Sequence, residues 1–202
     1  TIGIIFGGCS KEFGVSLKSA YSVIANVNRE KYEPVLIGIT KEGEWYLFEG
    51  ALDAIRDDGW REMGKCTPAI ISPSRNSSGL LILGEDGVTT RKLDAVFPVL
   101  HGRNGEDGTV QGLLELAGIP VVGCGLLSSA ICMDKAIAHI LVSEAGVKVP
   151  AAVTFHKNHW GEEMRKTVNR LRYPLYVKPV NEGSSLGITK IEDQSQMEEA
   201  VR

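Results

Sequence analysis

Apolar residues along this chain follow two rhythms, short unbroken runs and runs at helical spacing, and the two alternate from the start. Ile2-Gly3-Ile4-Ile5-Phe6 is a continuous apolar run ended by Gly7-Gly8, which predicts a buried parallel strand. Leu17, Ala20, Tyr21, Ile24 and Val27 then recur on one helix face, with Ser16 in the position of an N-cap. Pro34 to Thr40 predicts a second strand, so the opening reads as a βαβ unit with a right-handed crossover. Residues 41–93 are less regular; Glu44 to Phe48 and Leu80 to Leu83 predict strands, and Arg75-Asn76-Ser77-Ser78-Gly79 a turn. Asp94 to Leu100 returns to a buried strand and runs into the polar loop His101 to Gly108. Val110, Leu113, Leu114 and Ala117 mark a helix stopped by Gly118, followed by a strand at Ile119 to Val122.

The pattern changes beyond Gly123-Cys124-Gly125, where a domain boundary is expected. Ser129 to Ala145 predicts one long helix with Ile137, Ile140 and Leu141 on one face. Val147 to Phe155 and Tyr173 to Val180 predict strands around a helix at Glu162 to Leu171, and Gln194 to Arg202 is again helical. Strands and helices that alternate in this way define an α/β chain, here divided into domains 1–124 and 125–202.

Composition narrows the picture. A chain of 202 residues, 43% hydrophobic, supports one large or two small domains with real cores. The net charge is −3 with both signs interspersed and no basic stripe, which argues against nucleic acid as a partner. No apolar run approaches the roughly eighteen residues of a membrane span. The apolar opening lacks a basic lead and a cleavage site, so it reads as a strand rather than a secretory signal. Cys9, Cys66, Cys124 and Cys132 form no C-x-x-C pair, and no histidine spacing completes a zinc site. Cys124 and Cys132 lie in apolar segments, where a thiol acts as a small hydrophobe, and a reducing cytoplasm is the expected setting. The chain opens on Thr1 rather than Met and stops at Arg202 inside a helical pattern without a C-cap. The natural protein is therefore expected to be longer, mainly at its C-terminus.

Four segments carry candidate chemistry, and ligands in open α/β sheets bind at the carboxyl ends of strands. The first, Gly7 to Ser16, lacks both the G-x-G-x-x-G spacing and the acidic end to the second strand that a dinucleotide fold requires. Its Glu12 suits a substrate ammonium; the plainer reading is a glutamate favoured by the helix dipole. The second, His101-Gly102-Arg103-Asn104-Gly105-Glu106-Asp107-Gly108, holds more titratable groups than a turn needs. His101 suits a carboxylate or developing charge, and Glu106 either orients His101 or caps the next helix. In the third, Ser128 to Lys135, the lysine is either solvated or a point charge for a phosphate. In the fourth, a lysine-proline pair, Lys178-Pro179, ends a buried strand before the loop Gly183-Ser184-Ser185-Leu186-Gly187. That loop is either a hairpin turn or an anion nest, and it is not a Walker A loop.

Taken together and in order, FGGCSKEFGVS, HGRNGEDGTVQGLLELAGIPVVG, SSAICMDK and YVKPVNEGSSLGITK resemble the D-alanine–D-alanine ligase family over essentially the whole chain. Cys9, IGITKEGEWY and CMDK look most like the vancomycin-resistance ligases, which make D-Ala–D-Ser or D-Ala–D-Lac. The resemblance implies a Rossmann-like pre-ATP-grasp domain followed by the beginning of an ATP-grasp domain. It implies an enzyme for peptidoglycan precursors that phosphorylates the carboxylate of D-alanine from ATP and lets a second D-substrate attack the acyl phosphate. Glu12 matches the glutamate that receives the first D-Ala ammonium, and Ser184 the loop serine in a relay with it. His101 and Glu106 match the pair near the first substrate. Lys135 and Lys178 match lysines on ATP phosphates, and Gly183, Ser185 and Gly187 the loop that closes over them. The family's Mg²⁺ ligands, adenine segment and second-substrate arginine are expected beyond residue 202, so a chain ending there should be inactive. A homodimer through the N-terminal domain is implied as well. The rival readings are another ATP-grasp carboxylate–amine ligase, which does not account for HGxxGEDG, and a non-catalytic binding module.

Overall fold

The computed structural model describes residues 1–201. The chain forms two compact units, one of residues 1–130 and one from Ile131 onward.

The first unit is built on a seven-stranded sheet. Its strands are β1 (Ile2–Gly7), β2 (Pro34–Ile39), β3 (Trp45–Glu49), β4 (Lys65–Ile71), β5 (Gly79–Gly84), β6 (Gly87–Lys92) and β7 (Ala95–Pro98), in the spatial order β6-β5-β4-β3-β2-β1-β7. β1 pairs in parallel with β2 and with β7, so the expected βαβ unit is present; β2 through β6 continue as an antiparallel meander. Strand alternation divides the core between the two faces. Ile5, Val35, Ile37 and Leu47 pack with Val110, Leu114 and Ala117 of helix α4 (Thr109–Ala117). Ile4, Phe6, Tyr46 and Phe48 pack on the other face with helix α1 (Phe13–Asn26), helix α2 (Leu52–Arg56) and Trp60 of the short helix α3 (Trp60–Met63). Gly38 admits that packing: a Cβ on it would lie 2.5 Å from the Trp60 ring.

Several expectations are corrected here. α1 begins at Phe13, so Ser16 is not the N-cap but a buried residue within the helix. Ile119 to Val122 is not a strand; it meets β7 through one bridge, Val96 to Val121. β4 and β6 lie in the stretch that looked irregular. β4 carries Pro68, a residue that normally argues against a central strand. Pro68 sits where the ladder to β3 ends, and pairing to β5 begins at Ala69, so the missing N–H disrupts little.

In the chain order that follows, the predicted long helix is two helices, α5 (Leu126–Met133) and α6 (Lys135–Glu144), bent by 102°. Asp134 causes the break. Its extended backbone leaves α5, and its Oδ1 accepts from the N–H groups of Ala136 and Ile137 at 2.9 Å, capping α6. Ile137, Ile140 and Leu141, the expected apolar face, are exposed in this unit. Cys124 and Cys132 are also exposed rather than packed as hydrophobes. Val147 to Phe155 forms no strand, and the second predicted strand is reduced to β8 (Leu175–Val177), antiparallel to β9 (Thr189–Ile191). With α7 (Glu162–Val168) and α8 (Met197–Val201), these strands enclose a small core of Val168, Ile191 and Met197. The helical reading of 194–202 holds through Val201, after a 3₁₀ turn at Gln194–Gln196; Arg202 lies outside the described residues. Among the described residues no single helix is long and apolar enough to cross a membrane.

Candidate active site

In the first unit, β1 and β7 are neighbours, and the loops that leave their carboxyl ends carry Glu12 and His101. That is the crevice where open α/β sheets bind ligands. Gly8 N–H donates to the Ile39 carbonyl at 2.9 Å and anchors the first loop to β2. Glu12 occupies the N-cap position of α1, but its side chain makes no capping bond. Its carboxylate instead lies against Gly102 of the second loop, where a Cβ would meet Glu12 Oε2 at 2.5 Å. Gly102 has φ +68°, a left-handed conformation that glycine adopts freely, so both backbone and space favour glycine.

The second loop braces itself. Gly102 N–H donates to Glu106 Oε2 at 2.7 Å, and Glu106 Oε1 stands 3.8 Å from His101 Nδ1. His101 Nε2 is 3.1 Å from the Ser19 hydroxyl of α1. The imidazole thus has a carboxylate on one side, beyond hydrogen-bond reach, and a hydroxyl within reach on the other. Glu106 bonds its own loop at Gly102, and the residue that bonds the start of α4 is Asp107. Its Oδ1 accepts from Thr109 N–H at 3.0 Å and its Oδ2 from Asn104 N–H at 2.8 Å. The Gln111 amide adds a bond to the Gly105 carbonyl at 2.9 Å. Ser19 and Asp107 were not singled out from sequence. The signal for Asp107 was its place two residues before a helix; that for Ser19 was its spacing of three from Ser16.

Partial burial pushes the Asp107 carboxyl up, but the backbone N–H groups of Asn104 and Thr109 outweigh it and hold the group below its ordinary 3.8. A depressed folded-state pKa gives stability that is present above the unfolded value and is lost as pH falls through the folded one. Melting curves of wild type and Asp107→Ala should therefore differ above pH 5 by about 1 kcal/mol. The gap should shrink steadily below about pH 4; a gap that stays constant down to acid pH would remove this role.

The second unit holds the other predicted residues. Lys135 is the first residue of α6 rather than an interior one. Its backbone N–H donates to the Val180 carbonyl at 3.2 Å, and its ammonium donates to the same carbonyl at 3.2 Å and to that of Glu182. Lys178 follows β8, but both it and Pro179 are exposed, so the expected buried lysine-proline pair is corrected. The Gly183–Gly187 segment lies in the connection of residues 178–188 between β8 and β9, which pair as in a hairpin but are joined by much more than a hairpin turn. Pro179 packs on Gly187 across it. Ser184 (φ +45°), Ser185 (φ +59°) and Gly187 (φ +69°) are left-handed, and Leu186 N–H bonds the Gly183 carbonyl at 2.9 Å. The Ile188 N–H likewise bonds the Ser185 carbonyl at 3.4 Å, so an anion nest here would draw on the N–H groups of residues 184, 185 and 187. Thus Glu12, His101 and Glu106 come together in one unit, and Lys135, Lys178, Gly183, Ser184, Ser185 and Gly187 in the other. Among the described residues no three His, Cys, Asp or Glu side chains group to hold a metal ion.

A sheet whose carboxyl-end crevice gathers a glutamate and a histidine-carboxylate pair, on a chain that continues into a lysine-flanked Gly-Ser loop, matches one family. The family described as D-ala D-ala ligase N-terminus matches residues 1–124, and the D-ala D-ala ligase C-terminus family matches residues 141–202. The chain belongs to the D-alanine–D-alanine ligase family. It is 46% identical over 200 residues to the vancomycin B-type resistance protein VanB of Enterococcus faecalis, covering 99% of this chain and 55% of that protein. It is 44% identical over 204 residues to the D-alanine–D-alanine ligase of Caldicellulosiruptor bescii, covering 99% and 55%. The crystal structure of the VanG D-Ala:D-Ser ligase from Enterococcus faecalis superposes with a TM-score of 0.92 at 48% identity, covering 99% of this chain and 57% of that one. The chain thus spans about half the length of the relatives it matches.

Proposed function

We propose that this chain forms part of an ATP-dependent ligase that joins D-alanine to a second D-substrate (D-alanine, D-serine or D-lactate) for peptidoglycan precursors. The observation that carries the reading is the Glu12 carboxylate lying against Gly102, beside the His101–Glu106 pair. Glu12 receives the ammonium of the first D-alanine, a charge-assisted contact. His101, oriented by Glu106 and Ser19, faces that substrate's carboxylate as it becomes phosphorylated. The second unit suits the phosphates of ATP: Lys178 is exposed, and the left-handed residues 184, 185 and 187 supply N–H donors. Lys135, docked on the Val180 and Glu182 carbonyls, holds the base of that loop and brings its charge there. Loop closure over the phosphates shields the acyl phosphate from water. Mg²⁺ would neutralise the phosphates in such a reaction. A domain limit at residue 124, a homodimer and a cytoplasmic setting belong to the same reading. The family assignment and the thiols at 9, 66, 124 and 132 support it.

The test is ADP release by the full-length protein with Mg²⁺-ATP and D-alanine, with and without D-serine or D-lactate, and product identification by mass. D-alanine-dependent ADP release with a ligated product is expected, and the product mass names the second substrate. No turnover with any pair, from folded full-length protein, would overturn the reading.

A further inference from the structure

The parallel ladder between β1 and β7 has a rung missing at its carboxyl end, and a side chain fills the gap. Ile5 pairs with Pro98, and Val99 N–H donates to the Ile5 carbonyl at 2.8 Å. In a regular parallel ladder the next bond would run from Gly7 N–H to the Val99 carbonyl. Here the Ser16 hydroxyl stands between them: Gly7 N–H donates to Ser16 Oγ at 2.8 Å, and Ser16 Oγ donates to the Val99 carbonyl at 2.5 Å. Ser16 is fully buried, and the hydroxyl's single proton and an acceptor lone pair are both used. Gly7 ends β1 just before the loop that carries Glu12, and Val99 lies two residues before His101. Resting on the functional reading above, we infer that Ser16 is a positioning residue that splices the two strands apart and fixes the separation of the Glu12 and His101 loops, and so sets the first D-substrate pocket. Without the hydroxyl, the strands either close into a direct rung and narrow the crevice, or leave a buried N–H and a buried carbonyl unpaired. Both outcomes move Glu12 relative to Gly102.

The test compares Ser16→Thr with Ser16→Val in the full-length protein, because these variants share a shape and differ by the hydroxyl. Ser16→Val should raise the KM for the first D-alanine about tenfold relative to Ser16→Thr. The KM for ATP should stay within about twofold, because the hydroxyl touches only the D-substrate loops. A general loss of fold would move both constants together. Equal D-alanine KM in the two variants, or equal loss for D-alanine and ATP, overturns the proposal. If Ser16→Val does not fold, Ser16→Ala, which adds no bulk, is set against wild type in the same way. Hydrogen exchange of the Gly7 amide separates this proposal from the ligase reading. Exchange faster in Ser16→Val than in Ser16→Thr upholds the splice even if wild type shows no D-alanine-dependent turnover. Equal exchange overturns it whatever the activity.

Discussion

Glu12→Gln should raise the KM for the first D-alanine by roughly 10- to 100-fold, the cost of losing a hydrogen bond to a charged group. The KM for ATP should stay within about twofold, since Lys135, Lys178 and the Gly-Ser loop belong to the other unit. The amide keeps the shape and one acceptor but not the charge that a substrate ammonium requires. Gly102→Ala should reproduce the defect with Glu12 intact. Its methyl would fall 2.5 Å from Glu12 Oε2, and at φ +68° an alanine adds about 1–2 kcal/mol of backbone strain. The carboxylate is the flexible partner, so it yields and leaves its place. Steady-state kinetics with each substrate varied in turn checks both variants. Equal losses for D-alanine and ATP would remove the ammonium-binding role from Glu12.

Trp60→Ala should be the most destabilising single change in the first unit, at about 3–5 kcal/mol. Trp60 is 2% exposed and packs edge-on to Phe6 at 5.1 Å, Phe48 at 6.1 Å and Tyr46 at 6.4 Å. Its ring lies directly over Gly38, so truncation empties a space bounded by a strand backbone that has no side chain to fill it. Against a typical total of about 5–15 kcal/mol, that loss should lower the melting temperature on the order of 10 °C. Trp60→Phe should recover much of it, because an aromatic ring still meets three others. A melting temperature within about 2 °C of wild type for Trp60→Ala would show that α3 is not part of the core as described.

Much of this was legible in residue order. The parallel run Ile2 to Phe6, the helix that follows it and the strand at Pro34 declare themselves because burial on both faces leaves an unbroken apolar signature. The segments around Glu12, His101, Lys135 and Ser184 stood out as candidate chemistry because glycine and titratable residues crowd where strands end. The irregular middle was not legible. β6 is an exposed, polar edge strand, and Pro68 masks β4 until the two ladders that divide it are known.

Local sequence could not assign a polar side chain whose partner is distant in the chain. Ser16 looked like a helix cap because caps are short-range; its partner is Val99, 83 residues away, and only the sheet brings that carbonyl near. Asp134, in contrast, acts on amides two and three residues ahead, yet an apolar pattern continuing on both sides hid the 102° turn it makes. By itself the sequence determined most of the element types and the family, and it marked the residues proposed to bear the chemistry, since each depends on neighbours along the chain. Only the tertiary structure decided that the Glu12 side chain rests on Gly102 rather than capping its helix, and that His101 stands between Glu106 and Ser19. Those contacts depend on which strands lie side by side, and that order is fixed by packing the whole sheet.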